Sequence, residues 1–417
     1  MSFMQLVQSA VSKSNEAKIE SSKAIAEVTK AVEVNKFNYK NYKLPVLYLN
    51  GDMTGISKDT KVNLNYIYND RKGTCTLKWQ GSSSIRYPKK NYTISFDSPF
   101  VAKNGWGSQK KYCLKANFID FSHARNVVAA KLWGQMVKSR TTKNELLNNL
   151  PNGGAIDGFP IMLVINDNYQ GLYSFNIPKD GWMLGMKDGE KECIVCAEEH
   201  SNATLFAETI TELGPQFELE YAKDEDNTQW VINSLNTLIT TILNNDNANY
   251  KEQVGKYMDI DSAIDYYIFA CLISHTDGRA KNFLLHTFDG VKWAFTAYDM
   301  DTVFGNHFDG TAYYKADVSP TFSYYVVSKI MNLIYKYDKD KLKERYLKIR
   351  KTVLSEDNVS YMFYNYLVNI PKALFDEEVK LWTSLPGTQT NNITQILNNF
   401  RLRCELLDKE IADLSNE

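Results

Sequence analysis

Two apolar runs, Phe283 to Phe288 and Val291 to Tyr298, are separated by nothing but Asp289-Gly290. β-Branched and aromatic residues flanking Asp-Gly form the strongest short signal for a hairpin, because both turn residues tolerate the positive φ that a two-residue turn demands. A chain carrying this pair has to build a sheet around it. With such a turn residue 288 faces 291, so Asn282 lies opposite Ala297 and beside Asp299. Side chains alternate along a strand, so Asn282, Asp299 and Asp301 then share one face, with the two aspartates roughly 7 Å apart at about 3.3 Å per residue. The open end of the hairpin is therefore acidic.

The residues just upstream fit the same site. Asp261 reads as the N-cap of a helix carrying Ile264, Ile268, Cys271 and Leu272, which runs out near Ser274 and His275, close to Gly278. Asp277 then sits in the loop between this helix and the hairpin. An aspartate in a loop, an asparagine five residues on and an aspartate ending the second strand make an oxygen-ligand set suited to Mg²⁺, which usually also takes substrate phosphates. Two acids on one face repel unless a cation lies between them, which argues for metal at Asp299 and Asp301. His275 and His307 read as helix-end or core histidines.

Composition narrows the function classes. A net charge of −1 gives no electrostatic reason to expect nucleic acid or an anionic membrane. The basic run from Lys329 to Lys351 is interleaved with Asp338, Asp340 and Glu344 and reads as a solvated helix face. No stretch reaches the ~18 apolar residues of a membrane helix. Six scattered cysteines and no secretory signal lead us to expect cytoplasmic synthesis with free thiols, Cys193 and Cys196 being buried on a strand.

In order, the chain reads as α+β. Residues 1–38 form a helical segment in which Ala17, Ala24 and Ala31, and likewise Val11, Lys18, Ile25 and Val32, recur every seven, with Ser14, Ser21 and Val28 as the accompanying seam. Such a short helix needs a partner, either another copy of the chain or its own domain. Residues 39–217 are strand-rich, with strands at 44–49, 61–67, 74–80, 91–96, 112–116 and 160–165 and one helix over 122–137. Residues 218–417 are α-rich apart from the hairpin of 275–305. Between two of the strands lies Gly81-Ser82-Ser83-Ser84, small residues whose N–H and hydroxyl groups suit phosphate oxygens.

Five motifs in order complete the pattern. They are W-Q-G-S-S-S at 79–84, P-K-K-N-Y at 88–92, H-A-R-N at 123–126, I-N-D-N-Y-Q-G-L-Y at 165–173, and Asp277, Lys281-Asn282 with Asp299-x-Asp301. Together they resemble the CotH family of atypical, spore-coat-type protein kinases. The resemblance implies a bilobal fold with a β-rich amino-terminal and an α-rich carboxy-terminal lobe. It also implies ATP with Mg²⁺ or Mn²⁺, and transfer to a Ser or Thr of a protein. Asp277 would orient the hydroxyl, Asn282, Asp299 and Asp301 would attend the metal, and Ser82, Ser83, Ser84 and Lys89 would hold phosphates. Lys89 is preferred to Lys90 because only one of the two can face the site. Arg125 would brace the carboxylates or touch phosphate. One departure stands out: where the family carries a lysine-pairing glutamate, this chain has Ser174-Phe175-Asn176-Ile177, leaving Glu198 or Glu199 as substitutes. That departure, and an amino-terminal helix resembling those of bacteriophage tail and baseplate proteins, support an alternative. It is a degenerate kinase fold serving as a virion component, with virion proteins as partners and homo-oligomerisation through the helix.

Overall fold

A computed structural model describes residues 13, 16, 18–23, 37–142, 144–313 and 320–414. The chain divides into Met1–Lys43 and Leu44–Glu417. In the first unit residues 18–23 are helical and exposed, Ser22 Oγ donates to the Lys18 carbonyl, and Tyr39–Asn41 form a 3-10 turn. The heptad positions Val11, Ser14, Ala17, Ala24, Ile25, Val28, Ala31 and Val32 lie outside the described residues.

The second unit opens with a closed barrel. Its strands are β1 (Val46–Asn50), β2 (Val62–Tyr68), β3 (Arg71–Gln80), β4 (Asn91–Phe100), β5 (Gln109–Lys115), β6 (Gly158–Ile165) and β7 (Asn168–Asn176), in the order β1-β2-β3-β4-β5-β7-β6. The alternation is plainest in β2, where Val62, Leu64, Tyr66 and Tyr68 point inward and the residues between them are exposed. Closure comes from a parallel pairing of β1 with β6, Val46 against Met162, which leaves no open edge. Aromatic rings fill the lumen, Tyr68 stacking on Phe175 at 5.6 Å and Phe96 meeting Tyr66 edge-on at 4.7 Å.

A second, antiparallel sheet has the order β11-β10-β8-β9, from β8 (Cys193–Ala197), β9 (Glu218–Ala222), β10 (Phe283–Thr287) and β11 (Ala294–Ala297). Both cysteines of β8 are buried free thiols. The described α-helices are α1 (Arg125–Lys138), α2 (Glu145–Asn149), α3 (Gln229–Asn244), α4 (Tyr250–Val254), α5 (Ile260–Leu272), α6 (Phe322–Tyr325), α7 (Lys329–Tyr337), α8 (Lys339–Arg350), α9 (Glu356–Leu367), α10 (Lys372–Leu381), which packs on β7, and α11 (Ile393–Asp413). α5 is buried on nearly every side and forms the axis of this half. None of the described helices is long and apolar enough to cross a membrane.

Two local expectations are corrected. The N-cap of α5 is Asp259, whose side chain accepts from Ser262 N at 3.1 Å, while Asp261 lies in the first turn and pairs with Lys341. The hairpin pairs Phe283, not Asn282, with Ala297. Its turn is wider than two residues because only Gly290 adopts a positive φ, of 72°, and Asp289 Oδ1 instead accepts from both Val291 N and Lys292 N at 2.8 Å. Trp293 is meanwhile drawn away to the segment before α5, donating to the Tyr257 carbonyl and accepting from Asp259 N. β11 then stops at Ala297. Asp299 consequently caps a 3-10 turn, Met300–Thr302, and Asp301 lies within it, instead of the two sharing one strand face.

Candidate active site

The register of the second sheet gathers the polar residues at one edge. Ala197 of β8 and Ala297 of β11 both face Phe283, so the ends of β8 and β11 lie beside the start of β10. Glu198 to His200 follow β8, Asp277 to Asn282 precede β10, and Asp299 to Asp301 follow β11. Asn282 N donates to the Ala197 carbonyl at 2.8 Å, which fixes the middle of the edge. The Asp277 loop is pinned from below: Tyr266 Oη donates to the Gly278 carbonyl at 2.6 Å, Tyr325 Oη to the His275 carbonyl at 2.5 Å, and His275 Nε2 meets the Asn282 carbonyl at 3.2 Å. Burial holds the His275 imidazole below its ordinary pKa, against the pull of the Asn282 carbonyl and of Asp277 and Asp299.

Asn282 (φ 59°) and Asp299 (φ 52°) both adopt the left-handed conformation, as do Ser274 and Phe304 nearby. Asn and Asp accept it readily; for Phe304 it stores about 1–3 kcal/mol, a strain that concentrates at working sites. Asn126 Oδ1 accepts from Met300 N at 3.2 Å and Asn306 Nδ2 donates to the Asp301 carbonyl at 2.8 Å, holding the turn between the two aspartates. Burial pushes the Asp301 carboxyl well above the carboxylate range, and the charges of Asp299 and Asp120 push it further; Lys115, at the end of β5, opposes them. Such an arrangement is short of positive charge, and its oxygen donors suit a hard divalent cation. Asp277 stands beside it, Oδ2 at 3.2 Å from Lys281 Nζ and Oδ1 at 3.4 Å from His200 Nε2. It also lines a polar recess with Ser274, Thr276, Thr302 and Phe308.

The barrel supplies the opposite wall. Ser82 and Ser83 are exposed and Ser84 is half-buried, accepting from Asn91 Nδ2 at 3.3 Å. Their loop reaches the helical half through Tyr87, which stacks on Phe118 at 4.7 Å and donates to the Phe308 carbonyl at 3.3 Å. Lys90 ties the loop back on itself through the Ile85 and Tyr87 carbonyls. Lys89 does face inward, yet it is fully buried, and its ammonium donates to the Leu172 carbonyl (2.5 Å), Glu378 Oε2 (2.7 Å) and the Ala116 carbonyl (3.0 Å). Three donors meet three acceptors, so this ammonium has none left for a ligand. Lys115 forms no ion pair among the described residues, and its charge bears on Asp301 and Glu198.

The carboxylate that pairs with Lys89 is Glu378, from α10. Its Oε1 accepts from Leu172 N at 2.5 Å and its Oε2 lies 3.7 Å from His123 Nε2. Gly171 makes room for it: a Cβ there would stand 1.8 Å from Oε1. Glu198 pairs with Lys179 instead, at 2.5 Å, and the side-chain amide of Asn176 is buried without a hydrogen-bond partner among the described residues. Lys179 also bonds Glu220, so its ammonium supplies the cation for Cys196, Glu198 and Glu220, which are close enough together to hold a metal.

Arg125 is buried and committed. Its Nε donates to the Val303 carbonyl at 2.9 Å, Nη1 to Asp120 Oδ1 at 2.6 Å and to Asn391 Oδ1, and Nη2 to Gln395 Oε1. Of the two roles left open for it, this geometry is that of a brace. The structure places four residues that the sequence reading passed over at or beside this candidate site: Lys115, Asp120, His200 and Glu378. A strand Tyr-Cys-Leu-Lys ending in a cation, and Asp120 five residues before Arg125, were signals to hand. For Glu378 the sole hint is its place four residues after Leu374 on the buried face of a helix. The family model described as CotH kinase protein matches residues 77–404. No curated protein matches the chain.

Proposed function

Given that the chain belongs to the CotH kinase family, we propose that it binds ATP with Mg²⁺, or Mn²⁺ in its place, and transfers the γ-phosphoryl group to a Ser or Thr hydroxyl of a protein. The observation that carries this reading is the convergence of Asp277, Asn282, Asp299, Asp301 and Lys115 between barrel and helices, where burial and the charges of Asp299 and Asp120 push the Asp301 carboxyl up. Asn282 and Asp299 would hold the metal and Asp301 would support them. Bound there, the ion would neutralise phosphate charge. Lys115 takes the phosphate-pairing role, the exposed Ser82 and Ser83 with Ser84 present donors at the mouth, and Asp277 orients the acceptor hydroxyl and receives its proton. Lys89 acts one step back, holding the Ala116 carbonyl beside Lys115, and Arg125 holds Asp120 and the turn at Val303.

Incubation with γ-labelled ATP and Mg²⁺ or Mn²⁺, reading label in the protein and in casein-like acceptors, tests this. Asp277→Asn should lose transfer while keeping the thermal shift given by ATP with metal. A wild-type protein that neither shifts nor labels would refute the reading. The alternative of a scaffold in a phage tail or baseplate drew on the absent glutamate and on the amino-terminal helix; Glu378 supplies a carboxylate to Lys89, not to Lys115. Homo-oligomerisation through residues 1–38 and cytoplasmic synthesis remain proposals of the sequence.

A further inference from the structure

Beyond Asp301 the chain leaves the edge of the second sheet and doubles back as a short lip. His307 N donates to the Thr311 carbonyl at 3.0 Å, Gly310 N to the His307 carbonyl at 2.9 Å and Tyr313 N to the Gly305 carbonyl at 2.9 Å. Asn306, buried at the base, donates to the Ile119 carbonyl at 3.0 Å as well as to that of Asp301, and Tyr87 reaches over from the barrel to the Phe308 carbonyl. The backbone of the lip is thus fixed at its base and at its tip. The ring at the tip stands in water: Phe308 is 77% exposed, more than any other large apolar residue described. A single exposed ring on a protein surface needs no explanation. This one borders the recess lined by Thr276, Asp277 and Thr302, a space of about 50 Å³ that would take a few waters or one short side chain.

We infer that the lip is the docking surface for the acceptor chain, and that Phe308 determines specificity by taking an apolar side chain beside the Ser or Thr that enters the recess. The inference rests on the phosphoryl-transfer reading above. A hydroxyl delivered to Asp277 brings its neighbours with it, at about 3.3 Å per residue of extended chain, so the residues closest to it in sequence pass over the rim where Phe308 stands. Covering the ring removes apolar surface from water on both partners. Because the backbone of the lip is already fixed, little besides side-chain freedom is lost on docking. A carboxylate or amide in the same place would be stripped of water against a ring that offers it no hydrogen bond. The surface therefore rejects such neighbours as well as accepting apolar ones.

The test uses the full chain, γ-labelled ATP with Mg²⁺, and peptides with a central Ser or Thr in which one flanking position is fixed as Leu, Asn, Asp or Lys and the others are randomised. Wild type should favour Leu over Asn and Asp at one flanking position by on the order of tenfold in kcat/KM, as the partial burial of a large apolar side chain provides. Phe308→Ala should flatten that preference. Phe308→Glu should turn it toward Lys at the same position, an outcome that loss of folding cannot produce. KM for ATP and the thermal shift with ATP and Mg²⁺ should keep their wild-type values in both variants. No Leu preference in wild type, a preference that survives Phe308→Ala, or label in casein or in the protein itself but in no peptide overturns the docking role and leaves the kinase reading standing. A wild type that labels neither peptides, casein nor itself removes that reading, and the docking role with it.

Discussion

Glu378 and Lys89 form a buried ion pair whose two members come from opposite ends of the fold, and breaking it should be among the most damaging single changes in the protein. In Glu378→Gln the amide oxygen can still accept from Leu172 N, so what is lost is the charge facing Lys89 Nζ at 2.7 Å, both side chains being inaccessible to water. Removing one partner of such a pair costs about 3–5 kcal/mol, because the other charge stays in the interior uncompensated. Lys89→Met should cost a similar amount. The double variant Lys89→Met/Glu378→Gln contains no buried charge at this point and should fall well short of the sum, giving a coupling of at least about 2 kcal/mol. Urea denaturation of the four proteins reads this directly, provided the m-value is unchanged. Acid adds a second readout. Burial raises the Glu378 carboxyl, but the charge of Lys89 and the approach of His123 outweigh it and leave the pKa depressed. Stability from the pair is therefore complete above the unfolded carboxylate value of about 4.3 and is lost as the pH falls through the lower folded value. The double variant should lack that acid-side loss. Single variants that add to within about 0.5 kcal/mol of the double would refute the pairing. A folded double variant that no longer responds to ATP with Mg²⁺ would instead return the phosphate role to Lys89.

Three other outcomes are expected. Lys115→Met and Asp299→Asn should each abolish most of the thermal shift with ATP and Mg²⁺, which in wild type should correspond to on the order of 2.7 kcal/mol at a hundredfold excess over Kd; a wild-type shift in either, by scanning fluorimetry, would take that residue out of the site. Burial raises the Glu220 carboxyl to about 7 even with Lys179 beside it. The folded form thus binds the extra proton, so stability should fall as pH rises from about 4.3 to 7, and Glu220→Gln, followed by urea midpoint against pH, should flatten that slope. Removing residues 1–36 should lower the oligomeric state measured by light scattering while leaving a core that still responds to ATP; one state for both proteins would end the oligomerisation proposal.

The α-rich character of residues 218–417 was legible because an apolar stripe repeating every three to four residues, plainest in α11 and α3, has only one way to be buried. The hairpin was legible in kind and not in register. Its register depends on Trp293 bridging to the segment before α5, a tertiary event with no trace in the turn sequence. Barrel closure through the parallel β1–β6 pair was likewise invisible, since those strands are joined by no local signal. At the site, the sequence singled out Asp277, Asn282, Asp299 and Asp301 at the edge of the second sheet and passed over His200, and it put Asp299 and Asp301 on a strand where the chain in fact turns. It looked for the partner of Lys89 just after Tyr173, where local motifs can be read, and then to Glu198 or Glu199. The partner lies 289 residues from the lysine, on a helix whose own pattern marks it as nothing more than a buried position.

The commitments of Arg125 also bear on when the site can exist. Its hydrogen bonds join residues 178, 266 and 270 positions further along the chain, to the Val303 carbonyl, Asn391 and Gln395. Contacts of such separation are the last to repay the entropy of closing their loops, and they slow folding. During synthesis the barrel strands and the hairpin emerge well before Asn391 and Gln395 do. Until α11 arrives, the guanidinium has no partner for Nη2 and the turn after Asp301 lacks its brace. A nascent chain, or one truncated before α11, therefore carries every residue assigned to nucleotide and metal and still has no finished site.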